Sequence, residues 1–205
     1  MIVCITGGIG SGKSTIAKIF EVLGYPVYYS DERAKVMYYL QDIKQKVINY
    51  LGKDAYTPDG QINKPYIAQK IFSDNDLLQK INTLIHSAVH KDFEEFKKKH
   101  NNSPIIFKES ALVFESHIHS SCDKIILVTA PKKLKIERIK KRDNLDEQSI
   151  LKRIQKQWPD EKKIPLSHYI IINDETEPLL PKILKILDEI KNDMHSNNSK
   201  PTNSL

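Results

Sequence analysis

Five short, mainly apolar runs punctuate the chain: Ile2 to Ile5, Val27 to Tyr29, Pro104 to Lys108, Lys124 to Thr129 and Tyr169 to Ile172. They are too short for helices and rich in β-branched and aromatic residues, so each predicts a strand buried on both faces. Between them the apolar positions follow a helical period. Ile16, Ile19, Phe20 and Leu23 mark a helix after the first run. Leu179, Leu180, Ile183, Leu184, Leu187 and Ile190 mark another, from Glu177 to about Lys191, that should close the sheet. Strands alternating with helices predict an α/β fold, a parallel five-stranded sheet sandwiched between two helical layers.

Two segments do not fit a simple alternation. From Asp31 to Asn102 the pattern is helical throughout, broken at Thr57-Pro58-Asp59-Gly60 and at Ser73-Asp74. That connection is far longer than one crossover helix, and predicts a helical substrate-binding insertion at 31–102. A second, basic helical arm covers 131–165. The expected organisation is therefore one domain over 1–191, with a core of 1–30, 103–130 and 166–191. The Asn-, Ser- and Pro-containing tail, 192–205, lacks apolar periodicity and is expected to be disordered.

Composition narrows the picture. The net charge of +6 is carried by residues 131–163, which hold twelve Lys/Arg and six Asp/Glu, so the rest of the chain is neutral. Charge confined to one arm argues against a nucleic-acid-binding face; it reads either as a solvated helix or as a lid over phosphates. No apolar run approaches the ~18 residues of a membrane helix, so no membrane partner is expected. Cys4 and Cys122 show no metal or redox spacing, and are read as free thiols in a reducing cytoplasm.

The chemistry is concentrated near the start. Gly7-Gly8-Ile9-Gly10-Ser11-Gly12-Lys13-Ser14 fits G-x-x-x-x-G-K-[ST], between a predicted strand and a predicted helix. That is the setting of a P-loop. Backbone N–H groups close around phosphate oxygens, Lys13 reaches the β- and γ-phosphates, and the Ser14 hydroxyl ligates Mg²⁺. The chain is thus expected to bind ATP with Mg²⁺. Asp31, just beyond the second strand, can accept a hydroxyl proton or simply cap the helix that follows. Arg138 and Arg142, four apart, share a helix face and either close over the triphosphate or lie in solvent. Glu109, ending the third strand, is a Walker-B-like candidate for holding the metal's water. His86, taken alone, reads as a partly buried structural histidine.

No D-x-x-G switch or N-K-x-D base reader is present, and Asn63-Lys64-Pro65-Tyr66 lacks the acidic residue. A small-molecule kinase remains. The motifs Thr6 to Thr15, Leu23-Gly24-Tyr25-Pro26, Ser30-Asp31, Asp59 to Asn63, Ile71-Phe72 and Leu84-Ile85-His86 resemble, in order, those of the dephospho-CoA kinases. The resemblance continues through Leu112-Val113-Phe114-Glu115, Arg138 to Asp143, Arg153 to Gln157 and Ile170 to Asn173. It implies a P-loop NTPase sheet in the order 2-3-1-4-5, a helical CoA-binding insertion and a lid. It also implies γ-phosphate transfer from ATP to the 3′-hydroxyl of dephospho-CoA, the last step of coenzyme A synthesis.

By the same resemblance Asp31 is the base, and Lys13 and Arg142 stabilise the transferring phosphate. The ATP contacts would be Gly8, Gly10, Ser11, Gly12, Lys13, Ser14, Thr15, Arg138, Arg142 and Asn173. Thr6, Asp31 and His86 would meet the acceptor, and Ser14 the metal. Tyr29 stands where the family usually has Asp, Ser87 and Ala111 where it has Pro, and Lys64 where Arg is common. Metal binding then rests on Ser14 and water, or on help from Glu109. A monomer or weak homo-oligomer is expected. The competing readings are a kinase for another small alcohol and a non-catalytic ATP-binding regulator.

Overall fold

The computed structural model describes residues 1–198. Strand β1 (Ile2–Thr6) leads into α1 (Lys13–Val22), and β2 (Val27–Tyr29) into α2 (Ser30–Met37). Helices α3 (Gln41–Leu51), α4 (Lys64–Phe72) and α5 (Asn75–Lys99) follow before β3 (Ile106–Glu109). After β4 (Lys124–Thr129) come α6 (Lys132–Asp143), α7 (Glu147–Gln155) and α8 (Asp160–Lys163). Strand β5 (Tyr169–Ile172) and α9 (Leu179–Asn198) complete the described chain.

The sheet order is β2-β3-β1-β4-β5, as the resemblance implied. Val3, Cys4 and Ile5 are fully buried in succession, as are Ile126, Leu127 and Val128. Consecutive burial means that both faces of β1 and β4 are covered, which is why these strands read as unbroken apolar runs. Parallel register sets Ile5 beside Glu109 on one flank and beside Ile126 on the other. The carboxyl ends of β1 and β3 therefore lie level, where ligands of open parallel sheets bind.

The chain divides into two compact units. One comprises Met1–Val27 and the chain from Pro104 onward; the other is Tyr28–Ser103. The first is centred on the sheet, with Ile16, Ala17 and Phe20 of α1 and Ile183, Leu187 and Ile190 of α9 buried. The second has its own core of Met37, Ile43, Val47, Leu51, Tyr56, Ile67, Ile81 and Ile85. Its longest helix, α5, starts at Asp74, whose carboxylate accepts from the N–H groups of Asp76 and Leu77. Such a cap satisfies donors the helix itself leaves open. Among the described residues no helix is long and apolar enough to cross a membrane.

Four expectations need correction. Cys4 and Cys122 are not free thiols: they form a disulfide with a Cα–Cα distance of 5.8 Å. Cys122 lies two residues before β4, which pairs with β1, and both cysteines pack with Val113, Phe114 and Ile125. Their sequence separation of 118 hides that proximity. The last helix begins at Leu179, not Glu177, because an Asp174 turn, with Thr176 N–H on its carboxylate, and Pro178 intervene. It also runs through 192–198, which were expected to be disordered, and Lys124 pairs with Asp193 at 2.6 Å to hold that end. The remainder of the tail, 199–205, lies outside the described residues. Leu180 and Leu184 are exposed, and Ile186 is buried in the stripe instead.

Candidate active site

The β1–α1 loop is built by close approach. A side chain on Gly7 would place its first carbon 2.2 Å from the Val128 carbonyl oxygen, so the loop could not lie against β4. Gly12, at φ +94°, is the residue before α1, in the left-handed region that L side chains rarely adopt. No side chain caps this helix, so its leading N–H groups and its dipole face outward as an anion site. Ser11 N–H donates to the Gly8 carbonyl and closes the turn at 3.0 Å. The Oγ atoms of Thr6 and Ser11 are buried without hydrogen-bond partners, although buried hydroxyls are ordinarily satisfied.

Glu109 meets the P-loop from the end of β3. Its Oε1 accepts from the Ser14 hydroxyl at 3.2 Å and lies 3.4 Å from Lys13 Nζ. The carboxylate is almost wholly buried. A hydroxyl and a carboxylate form the hard-oxygen set that magnesium prefers, usually completed by waters and phosphate oxygens. Glu109, the Walker-B-like candidate of the sequence, is thus placed against both Lys13 and Ser14 of the P-loop.

The basic arm grips the loop's carbonyl side. Arg138 Nη1 donates to the Gly10 and Ser11 carbonyls at 3.3 Å, and Nη2 to Asn173 and Glu175. Asn173 Nδ2 donates to the same Ser11 oxygen at 2.9 Å. Gln157 Oε1 accepts from Ile9 N–H at 2.7 Å. Arg142 is placed differently: it pairs with its neighbour Asp143, which also binds Arg153. The Arg142 guanidinium, more than that of Arg153, holds the Asp143 carboxyl below its ordinary range. The arm's far end is fastened by Lys163, fully buried with its ammonium 2.9 Å from Glu115 Oε1, while Trp158 N–H donates to the same oxygen.

In the helical unit, Asp31 sits in the first turn of α2, and Tyr29, not Asp31, is the residue before that helix. The capping role is therefore not Asp31's. Arg33, two residues on, makes a bidentate pair with Asp92 of α5, and the Tyr28 hydroxyl donates to Asp92 at 2.8 Å. Arg33 lowers the Asp92 carboxyl, while burial pushes the Tyr28 phenol well up. The result is a fixed seat for the helix that carries Asp31. His86 is exposed on α5, correcting the expectation of partial burial. A groove of about 680 Å³, lined by Met37, Leu40, Ile43, Leu84 and Ala88, does not include Asp31 or His86.

Sequence reasoning assigned no role to Gln157, Lys135, Asp160, Arg33 or Asp92. Gln157 lay within a quoted motif, but its contact with Ile9 spans 148 positions and leaves no local signal.

Residues 1–178 match the family described as dephospho-CoA kinase. The chain belongs to the dephospho-CoA kinase family. A dephospho-CoA kinase of Bacteroides fragilis is 35% identical over 192 residues, 93% of each chain. One from Porphyromonas gingivalis is 34% identical, covering 91% of this chain and 93% of its own. Among solved structures, a Thermus thermophilus protein is similar with TM-score 0.81 and 25% identity, over 94% of this chain and 97% of that one. The Campylobacter jejuni dephospho-CoA kinase superposes with TM-score 0.67 at 22% identity, over 92% and 96%, a likeness of fold. Membership in this kinase family carries phosphate transfer to a hydroxyl group, and with it the use of ATP.

Proposed function

We propose that this protein transfers the γ-phosphate of ATP to the 3′-hydroxyl of the dephospho-CoA ribose, giving coenzyme A and ADP. The observation that carries the reading is the convergence of Lys13, Ser14 and Glu109 at the mouth of the P-loop, in a chain of this family. Lys13 neutralises charge on the β- and γ-phosphates, where there is little covalent chemistry for a protein to perform. Ser14 and Glu109 would hold Mg²⁺, which supplies electrostatic stabilisation of the transferring group. Asp31 accepts the proton of the 3′-hydroxyl as its oxygen bonds to phosphorus and the bond to ADP breaks. Thr6 and His86 are assigned to the acceptor.

Arg138 and Asn173 act on ATP through the loop they tether, with Arg142 free to approach phosphate only by leaving Asp143. The enzyme works in the cytoplasm as a monomer or weak homo-oligomer, without nucleic acid. The segment 31–102 serves as the acceptor-binding insertion and 131–165 as the lid. The test is coenzyme A formation from ATP, Mg²⁺ and dephospho-CoA, with adenosine and shikimate as parallel acceptors. Asp31→Asn should lower turnover by a factor of about 10² or more while ATP affinity holds, the scale of general-base catalysis. Equal loss of both would make Asp31 a binding or folding residue.

A further inference from the structure

Lys135 is the fourth residue of α6 and is nearly buried, yet its ammonium points at the P-loop. A side-chain carbon on Gly8 would stand 3.4 Å from Lys135 Nζ, and one on Gly10 would stand 2.6 Å from the Lys135 carbonyl oxygen. The helix backbone itself is therefore seated on the loop, and the lysine's position does not depend on its flexible stem alone. Its ionic partner is Asp160 at the start of α8. Both side chains are largely buried, at 11% and 19% exposure, so water screens the pair little.

The neighbouring contact has the same character. Three residues before Asp160, Gln157 Oε1 takes the Ile9 N–H. The short segment 157–160 thus offers oxygen atoms to two donors at the loop's edge, one backbone N–H and one ammonium. Phosphate oxygens are acceptors of the same kind and carry more charge. The arm's three arginines are engaged elsewhere, Arg138 on loop carbonyls and Asn173, Arg142 and Arg153 on Asp143.

We propose that Lys135 is a phosphate-binding residue of the nucleotide site, and that Asp160 is the carboxylate that competes with the triphosphate for its ammonium. This rests on the ATP reading above. It makes Asp160 a built-in competitor: ATP must displace a carboxylate from Lys135, so affinity is set by the difference between two anions. A purely structural ion pair would show a different sign pattern. Breaking such a pair from either side loosens the arm and weakens every ligand alike.

Calorimetric titration of ATP, ADP and adenosine into the full chain distinguishes the two. Lys135→Met should weaken ATP and ADP about tenfold, the loss of one charge-assisted hydrogen bond, and leave adenosine unchanged. Asp160→Asn should tighten ATP and ADP, by up to about tenfold, again without moving adenosine. Lys135→Arg retains the charge and should stay within about threefold of the parent, which guards against a folding defect in the Met variant. Opposite signs for the Met and Asn variants support the proposal. Weakening by both, or a matching fall in adenosine affinity, overturns it. Failure of the parent protein to bind ATP at all would overturn the functional reading itself, and this inference with it.

Discussion

Lys163→Met removes an ammonium that is fully buried, while its partner Glu115 is only 13% exposed. The contact is close at 2.9 Å, but the ammonium has no aligned hydrogen-bond partner and Glu115 Oε2 has none either. The pair is therefore held by charge alone, apart from the Trp158 N–H on Oε1 at 2.8 Å. Taking away one partner of a buried pair strands the other charge and costs about 3–5 kcal/mol. At about 2–4 °C per kcal/mol for a chain of this size, the melting temperature should fall by about 6–20 °C. Adding Glu115→Gln removes the stranded charge and keeps an acceptor for Trp158. The double variant should recover to within about 1–2 kcal/mol of the parent, since apolar replacement of a buried pair is often nearly neutral. Urea unfolding followed by far-UV circular dichroism gives all three free energies by linear extrapolation. A loss below about 1 kcal/mol for Lys163→Met, or additive losses in the double variant, would refute the account.

The Cys4–Cys122 bond closes a loop across 118 positions, so its reduction should cost about 2–5 kcal/mol. Thermal unfolding with and without dithiothreitol, with Cys122→Ser as the reduced mimic, measures this; two titratable thiols without reductant would contradict the bond. Stability should also fall as pH drops below about 6.5. His168 Nδ1 accepts from Ile125 N–H at 3.1 Å, and burial, aided by Lys124, lowers the imidazole's proton affinity. The unfolded chain binds that proton first, so stability declines until the folded value is passed. His168→Asn should flatten this decline. Asp92, depressed by Arg33, adds a smaller loss below about pH 4, discounted because Arg33 is 43% exposed.

The strands were legible because parallel strands buried on both faces leave continuous apolar runs, and the P-loop because its geometry is local to eight residues. What depended on distance was not. The disulfide, the Asn173 and Arg138 contacts with Ser11, and the Gln157 contact with Ile9 join positions more than a hundred residues apart. Composition misled at 192–198, where Asn and Ser continue a helix already anchored by packing and by Lys124–Asp193. His86 was recoverable in principle: Ile81 and Ile85 form the buried stripe four apart, and the next residue turns off it.

The Ser11 carbonyl and the Gly12 N–H belong to one trans peptide plane and point opposite ways. With Asn173 and Arg138 holding the carbonyl, the Gly12 N–H is aimed away from them before any phosphate arrives. The loop's donors are pre-set from behind by a residue 162 positions further along. Translation runs in the opposite sense: the phosphate loop emerges well before its clamp. A nascent chain lacking β5 carries the whole motif but not the orientation that makes it grip. Tight nucleotide binding is then a property gained only once β5 has emerged, and a receipt for a finished sheet.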